Sequence, residues 1–568
     1  MKKLINRPAS VVREMLEGIA RQAPHAAILG DENVLVRRPE PDAADRPVAI
    51  ISGGGSGHEP AHGGYVGNGM LSAAVCGEVF TSPSTDAVLA AIRATAGPRG
   101  AVLIVKNYTG DRLNFGLAAE LARAEGIPVE VVIVADDVAL RKQADRSQRR
   151  GIAGTVLVHK ITGAAAARGL ALDEVAGIAW RAAATLGTMG VALDGCTLPG
   201  ADHSGFTLAD DEIELGLGIH GEKGVERTAP LSADALADVL IANIVDDMAL
   251  CAGESVALLV NGLGATPQME LDIVLRAAFD NLSRRDIGVA RAWSGTLLSA
   301  LDMPGCSISL LRVDDATLDL LDAPTDARAW PGGAVNRDIR IDVPAAPLAA
   351  RPAVERAPGS GWARRIAPAL NAVADALVAH EATLTDLDSQ AGDGDLGVSM
   401  TRAAHAIRDV PEAALDTPDG ALAALGAALR RAIAGSSGPF YATALMRASR
   451  HLASIEQPAA KDWAAAFAHA VQAIGELGGA KAGDRTMLDA LLPAVSAFED
   501  ALNAGRAPGD AWAAAVAAAQ QGAQETAKMT PRAGRASYLG ARAVGIPDGG
   551  AVAVACWLAA LTPHVRGG

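Results

Sequence analysis

The sequence predicts a two-lobed α/β part followed by an all-α part, and three observations carry that expectation. From about residue 45 to 340, short continuous apolar runs alternate with helically spaced segments, the pattern of strands and helices laid down in turn. Residues 343–361 then carry Pro344, Pro347, Pro352 and Pro358 with Gly359 and Gly361, which reads as an extended linker. Beyond it the β-branched runs vanish and alanine dominates. The expected domains are 1–340, a linker over 341–361, and 362–568.

Taking the elements in order, Val48–Ile51, Ala101–Val105, Val129–Val134, Val256–Val260 and Ser307–Val313 are the apolar runs. Strands hidden on both faces read this way, and mostly parallel sheets are built of them. Segments 86–94 and 114–124 have helical spacing. Gly187, Gly190, Gly195 and Gly200 crowd together, so a seam between two lobes is expected near 185–200. In the second part, Ile366, Leu370, Val373 and Leu377 form one stripe of an amphipathic helix. Similar stretches at 421–434, 441–453, 462–477, 486–502, 509–528 and 550–561 predict seven or eight helices.

Composition narrows the class. Half of the 568 residues are apolar but only 3% are aromatic, so the cores must be built from Ala, Val and Leu. A net charge of −15 leaves no basic stripe to neutralise phosphates, which excludes nucleic acid as a partner. The five cysteines (Cys76, Cys196, Cys251, Cys306, Cys556) form no Cys-x-x-Cys pair, against structural zinc and a disulfide scaffold. Met-Lys-Lys-Leu at the start is followed by no apolar signal core. The longest uncharged apolar stretch, roughly Gly549 to Leu561, is too short to span a bilayer. The expectation is a cytoplasmic chain with no membrane partner.

Candidate chemistry begins with Ser52-Gly53-Gly54-Gly55-Ser56-Gly57-His58-Glu59-Pro60, which follows a strand. Its glycines allow backbone N–H groups close to a ligand. It is neither a Walker A loop nor a Gly-x-Gly-x-x-Gly fingerprint, so by itself it implies a polar ligand at a strand end or a plain tight turn. Lys106 and Asp111 stand at the next strand-to-loop transition. They could hold hydroxyl groups, the aspartate accepting a proton, or form a surface ion pair. His220, in Gly218-Ile-His-Gly-Glu222, has small neighbours that leave its ring accessible. A nucleophile or covalent anchor needs that access, and a solvated histidine shows it too.

Asp388, Asp393 and Asp395 place three carboxylates within eight positions. Such hard oxygen ligands suit Mg²⁺ or Ca²⁺ and not zinc, and Mg²⁺ completes its shell with water and phosphate oxygens. That points to a nucleotide. Gly435-Ser436-Ser437-Gly438, Gly478-Gly479, Gly483-Asp-Arg485-Thr486-Met487 and Gly534-Arg535-Ala-Ser-Tyr538 recur between successive helices. Hydroxyls and amides at helix N-termini make anion sites, and Arg485 or Arg535 could neutralise phosphate charge. Each is otherwise an ordinary helix cap.

Together these segments resemble the ATP-dependent dihydroxyacetone kinase family, from Met1 almost to the C-terminus. The matching motifs are Gly53-Gly-Gly-Ser-Gly-His-Glu-Pro60, Lys106-Asn-Tyr-Thr-Gly-Asp-Arg-Leu-Asn-Phe115, Gly218-Ile-His-Gly-Glu222, Gly392-Asp-Gly-Asp395, Gly483-Asp-Arg-Thr-Met-Leu-Asp489 and Gly534-Arg-Ala-Ser-Tyr-Leu539. The resemblance implies a two-lobed α/β substrate domain and a barrel of about eight antiparallel helices that holds ATP. It implies that His220 carries a short ketose as a covalent hemiaminal, with Asp111 as general base and His58 assisting. Gly55, Ser56, Gly57, His58, Lys106 and Asp111 match substrate contacts, and Asp388, Asp393 and Asp395 match the ligands of an Mg²⁺ pair. Leu396, Gly397, Val398, Ser399, Ser436, Ser437, Gly478, Thr486, Met487, Arg535, Asp548, Gly549 and Gly550 match nucleotide contacts. The chain has Asp548-Gly-Gly-Ala551 where the family often has Asp-Pro-Gly-Ala, and Leu396 where a polar residue is frequent.

The implied activity is phosphorylation of dihydroxyacetone by ATP and Mg²⁺, in a homodimer. Related expectations are a kinase for a tetrulose such as erythrulose, and cleavage of FAD to cyclic FMN. A ligand-sensing coregulator is disfavoured because the carboxylate trio and nucleotide loops share the chain. The same fusion disfavours an arrangement in which the two halves are separate proteins.

Overall fold

The computed structural model describes residues 2–565 apart from 39, 337–338, 340–360, 393 and 434–436. The chain forms two compact units, Met1–Val343 and Pro344–Gly568. The linker expected over 341–361 lies outside the described residues except for Gly361.

The first unit holds two six-stranded sheets. The first sheet contains β1 (Ala26–Ile28), β2 (Val34–Arg37), β3 (Ala49–Ser56), β4 (Ala73–Val79), β5 (Ala101–Lys106) and β6 (Val129–Val134), ordered β1-β2-β4-β3-β5-β6. The second contains β7 (Leu186–Ala192), β8 (Ile213–Leu215), β9 (Glu226–Thr228), β10 (Ser255–Gly262), β11 (Gly288–Gly295) and β12 (Gly305–Arg312), ordered β11-β10-β12-β7-β8-β9.

All five apolar runs read from the sequence are strands, but their direction was only half legible. β3 pairs in parallel with β4 and β5, and β5 with β6. In the second sheet only β10–β11 is parallel, while β10–β12, β12–β7, β7–β8 and β8–β9 are antiparallel. A strand buried on both faces carries the same apolar run whichever way its neighbour points, so the expectation of mostly parallel pairing fails for this sheet. Gly187 and Gly190, read as part of a seam, lie inside β7. A Cβ on Gly187 would come within 3.0 Å of Met248 Sδ and of Val138 Cγ1, so packing of a buried strand is what excludes a side chain there.

The alternation of side chains along β3 builds two cores at once. Ala49 and Ile51 join Val34, Val75, Leu103 and Phe115, under the helices Thr85–Thr95 and Thr109–Ala124. Ile50 points the other way, with Leu35, Val102 and Ile104, into a core that also takes Leu259 and Leu311 from the second sheet. The helix Thr155–Ala167 contributes Val156, Leu157 and Ile161 to the same core and is buried nearly all round. Each such aliphatic side chain contributes about 1.5–3 kcal/mol when fully removed from water.

The second unit is helical. Its described α-helices are Ala363–Ala379, Glu381–Ala391, Leu396–Arg408, Pro418–Ala432, Ser437–Leu452, Ala460–Gly478, Leu488–Asn503, Pro508–Glu525 and Gly549–Ala560. Seven of them coincide with the stretches read from the sequence. The other two flank the carboxylate motif, whose polarity had masked their periodicity. Ala511, Ala515 and Ala519 form a fully buried small-residue face that packs with Ala490, Leu491 and Ala494. Phe498 and Trp512, edge to face at 5.3 Å, supply the bulk that alanine lacks.

Candidate active site

The glycine run read as a loop is strand: β3 continues through Ser56, with Gly53, Gly54 and Gly55 opposite Val75, Cys76 and Gly77. Close approach explains their identity. A Cβ on Gly53 would sit 2.1 Å from the Val75 carbonyl oxygen, and one on Gly55 2.6 Å from Thr81 N. Gly54, with φ +148°, is different: a Cβ there would lie 3.3 Å from Asp111 Oδ2 and 3.3 Å from Lys106 Nζ. The missing side chain leaves room between the Asp111 carboxylate and the Lys106 side-chain nitrogen.

Lys106 ends β5, and Asp111 lies in the first turn of the helix Thr109–Ala124, so one strand-to-helix corner presents both. Both are buried. Lys106 Nζ has no hydrogen-bond partner among the described residues. Burial pulls its ammonium below the usual lysine range, opposed by the carboxylates of Asp111, Glu222, Glu59 and Asp136. A buried, unpaired donor of this kind is a place for a ligand oxygen.

His58 and His220 come from opposite halves of the unit and meet, Nε2 to Nε2, at 3.1 Å. His58 is fully buried, with Nδ1 2.8 Å from the Ser299 carbonyl. That oxygen can only accept, so Nδ1 carries the hydrogen. Desolvation lowers the His58 pKa well below the usual value, and its interactions with Lys106 and His220 lower it further. His220 sits in the turn between β8 and β9, with Nδ1 2.8 Å from Glu222 Oε1. Burial would raise the Glu222 carboxyl, but the His220 ring and amide overcome this and hold it at about 2. The ionised carboxylate places a His220 hydrogen on Nδ1, so the Nε2–Nε2 contact is a hydrogen bond when one further proton sits between the two rings.

Two rings close around this pair. Phe80 stacks on His58 at 5.1 Å and meets His220 edge-on at 5.1 Å, and Tyr108 meets His220 edge-on at 4.6 Å. The sequence assigned no role to Phe80, Tyr108, Ser299 or Glu59. Phe80 has φ 57° in the corner after β4, and no local pattern announces that position. Glu222 stood in a quoted motif without a role, and its offset of two from a glycine-flanked histidine was the available signal. Gly57 lends its amide to both oxygens of Glu59 at 3.1 Å. Ser56 donates its hydroxyl to the Gly77 carbonyl at 2.7 Å. Both groups are thus engaged within the protein.

In the helical unit, Asp388 is not in a loop but in the last turn of Glu381–Ala391, where Oδ2 accepts the Leu396 amide at 3.1 Å. Asp395 stands at the N-cap of Leu396–Arg408 with its side chain making no capping bond. Asp393 and Ser436 lie outside the described residues, as does the side chain of Arg535, whose backbone begins the short turn Arg535–Tyr538. Among the described residues no three His, Cys, Asp or Glu side chains stand grouped to hold a metal. Leu396, Gly397, Val398 and Ser399 form a first helical turn, with Ser399 buried and Val398 exposed.

Further N-termini gather near this turn. Thr486 and Met487 lead into Leu488–Asn503, the Thr486 amide bonded to Asp489 Oδ2 at 2.8 Å. Asp548 caps Gly549–Ala560 by accepting the Ala551 amide at 2.9 Å. A Cβ on Gly549 would lie 2.7 Å from Leu396 Cδ2, and one on Gly550 3.8 Å from Met487 Cβ. Ser437 opens the helix Ser437–Leu452, and Gly478, which closes Ala460–Gly478, packs against its Phe440. Asp548 is pushed up to about 6 by burial and by Asp489 and Asp388, against the opposing pull of the Ala551 amide and Arg485. Crowded, mostly half-buried carboxylates beside converging helix N-termini fit a cation–polyphosphate ligand. Arg485 is buried; its Nη2 donates to the Ile546 carbonyl at 2.8 Å, while Nε and Nη1 have no hydrogen-bond partner among the described residues.

The Dak1 domain matches residues 17–329 and the DAK2 domain residues 390–563. The chain belongs to the dihydroxyacetone kinase family. It is 43% identical to the "Putative 3,4-dihydroxy-2-butanone kinase" of Solanum lycopersicum, over 100% of this chain and 98% of that protein. It is 42% identical to the "Triokinase/FMN cyclase" of Homo sapiens, over 99% and 98%. The crystal structure of the dihydroxyacetone kinase from C. freundii in complex with AMP-PNP and Mg2+ is similar with a TM-score of 0.63 and 34% identity, covering 99% of each chain. Like the kinases named among these relatives, the chain is a phosphotransferase, and its two-sheet unit followed by a helical unit matches the C. freundii enzyme.

Proposed function

We propose that the chain transfers the γ-phosphoryl group of ATP to a terminal hydroxyl of a short ketose, dihydroxyacetone first among them. In this reading residues 1–340 bind the ketose and 362–568 bind ATP. The observation that carries it is the room beside Gly54, with Lys106 Nζ and Asp111 Oδ2 on it, in the same unit as a histidine whose Nδ1 is occupied by Glu222.

As His220 Nε2 adds to the ketone carbon, the C=O π electrons move to oxygen, which takes the proton shared with His58 Nε2; the resulting hemiaminal imidazolium stays paired with Glu222 and fixes the terminal hydroxyl. Lys106 donates a hydrogen bond to a substrate oxygen. Asp111 accepts the hydroxyl proton as that oxygen attacks phosphorus. Asp388, Asp393 and Asp395 would hold Mg²⁺, two ions in this proposal, which spreads the charge developing on the phosphates. Leu396 to Ser399, Ser436, Ser437, Gly478, Thr486, Met487, Arg535 and Asp548 to Gly550 would contact the nucleotide. A cytoplasmic homodimer belongs to the same reading.

The test is incubation with ATP–Mg²⁺ and ketoses of three to five carbons, following ADP release and the phosphorylated product. Turnover of dihydroxyacetone is expected, and silence with every ketose would overturn the proposal. The human relative's name favours one second reading, cleavage of FAD to cyclic FMN at the same nucleotide site. Release of cyclic FMN and AMP from FAD, with Mn²⁺ in place of Mg²⁺, tests it.

A further inference from the structure

We propose that Arg150 is a positioning residue for His220, acting through a buried strut that holds the histidine-bearing turn. The proposal rests on the ketose-binding role given to His220.

Leu217 and Ile219 anchor the turn in the core, and the Gly216 amide bonds the Gly190 carbonyl at 2.7 Å. Between β8 and β9 the chain closes on Gly218 N to Glu222 O (3.1 Å), Gly221 N to Gly218 O (3.2 Å) and His220 N to Glu222 Oε2 (3.0 Å). These bonds shape the turn, and His220 meets His58, Phe80 and Tyr108 from the first sheet's side. Arg150 adds a charged tie at the entry to the turn. Its Nη2 donates to the Gly216 carbonyl at 2.7 Å, at the entry to the turn, where Gly216 has φ +70°. Its Nε donates to Asp137 Oδ2 at 2.7 Å, just beyond the end of β6.

Asp137 is a rigid anchor. Its side chain is 1% exposed. Its Oδ1 accepts the Ala139 amide at 3.0 Å, and its own amide bonds the Arg150 carbonyl at 3.1 Å. Asp136 beside it takes the amides of Ile152 and Gly154 and the hydroxyl of Thr188 in β7. The planar guanidinium bridges carboxylate and carbonyl with fixed geometry, which a lysine cannot reproduce.

Gly218 records how close the strut comes. A Cβ there would lie 2.7 Å from Arg150 Nη1 and 2.0 Å from Glu222 Oε2. The guanidinium and the carboxylate that orients His220 therefore crowd the same glycine. Arg150 reaches no reacting atom, and its effect is to hold the height of the turn. Displacement of about 1 Å at a reacting group can cost about 100-fold.

The experiment uses the full chain carrying Arg150→Lys. Hydrogen exchange of the Gly218, His220 and Gly221 amides should quicken by about 10-fold or more, the effect of losing a charge-assisted hydrogen bond. The KM for ketose should rise by about 10- to 100-fold, with kcat at saturating ketose and the KM for ATP nearly unchanged. Unchanged exchange and unchanged ketose KM would overturn the proposal, as would equal losses for both substrates. If Arg150→Lys does not fold, Asp137→Asn/Arg150→Gln removes both buried charges together and is expected to give the same pattern. Should the wild-type protein phosphorylate no ketose, the assigned function fails, while amide exchange still decides the strut.

Discussion

One carboxylate holds His220 at two points: Glu222 Oε1 lies 2.8 Å from the ring Nδ1 and Oε2 lies 3.0 Å from the backbone amide. Ring orientation and turn geometry are thereby fixed together. Glu222→Gln keeps the size and one acceptor but loses the charge that places the hydrogen on Nδ1. Hydrogen bonds to charged groups contribute about 1.5–3 kcal/mol, so the KM for ketose should rise by roughly 10- to 100-fold. Steady-state kinetics with ketose and ATP varied separately checks this. An unchanged ketose KM would remove Glu222 from the site.

The same carboxylate has a signature in stability. Its folded pKa, about 2, lies below the ordinary value of 4.5, so the unfolded chain takes up its proton first. The contribution of Glu222 is complete above pH 4.5 and is lost as the pH falls toward about 2. Urea midpoints between pH 2 and 6 should therefore fall less steeply for Glu222→Gln than for the wild-type chain. Parallel curves would show that the ion pair adds nothing to folding.

How much of this site could be read in advance depended on what each residue's neighbours were. Lys106 and Asp111 were legible because the apolar run from Ala101 to Val105 ends directly on them. His220 was legible because glycine follows it and Gly218 precedes it by two. Phe80 was not, because its approach to both histidines depends on the corner after β4 and not on any spacing in the chain. Gly53 to Gly55 misled, since a glycine run reads as a turn unless the carbonyl of Val75 is known to press against it. Asp388 read as loop because the helix that holds it carries Asp and Gln where an apolar stripe would have revealed it.

Gly54 offers a steric test of the ligand space. A Cβ would touch Asp111 Oδ2 and Lys106 Nζ at 3.3 Å, a contact that those side chains can relieve by small movements. The φ of +148° adds strain of about 1–3 kcal/mol. Gly54→Ala should therefore fold with a lowered melting temperature and lose ketose phosphorylation. Asp111→Ala, which opens space and removes the proposed base, should fold and lose turnover by about 100-fold or more. Retained turnover in both variants would show that the space beside Gly54 is not where the ketose sits.

Asp548 sets stability against function in the helical unit. Burial first, and the nearby Asp489 and Asp388, push its carboxyl from 3.8 up to about 6. A raised carboxylate pKa means that the folded state binds the proton better, so ionising Asp548 destabilises the fold as the pH rises from about 4 through 6. Keeping this carboxylate ionised in the fold at neutral pH then costs about 3 kcal/mol. Asn keeps the capping oxygen that receives the Ala551 amide and carries no charge. Asp548→Asn should therefore be more stable than the wild-type chain at pH 8 without Mg²⁺, by about 1–3 kcal/mol. The gain should shrink as the pH falls toward 4. ATP–Mg²⁺ should raise the melting temperature of the wild-type chain by mass action, and chelation should reverse it. Asp548→Asn should show little of that rise, because the repulsion it lacks is what a bound cation would relieve. Denaturant titrations at pH 4, 6 and 8, with and without ATP–Mg²⁺, measure both effects. A variant less stable than the wild-type chain at every pH would show that the Asp548 charge is compensated in the folded state.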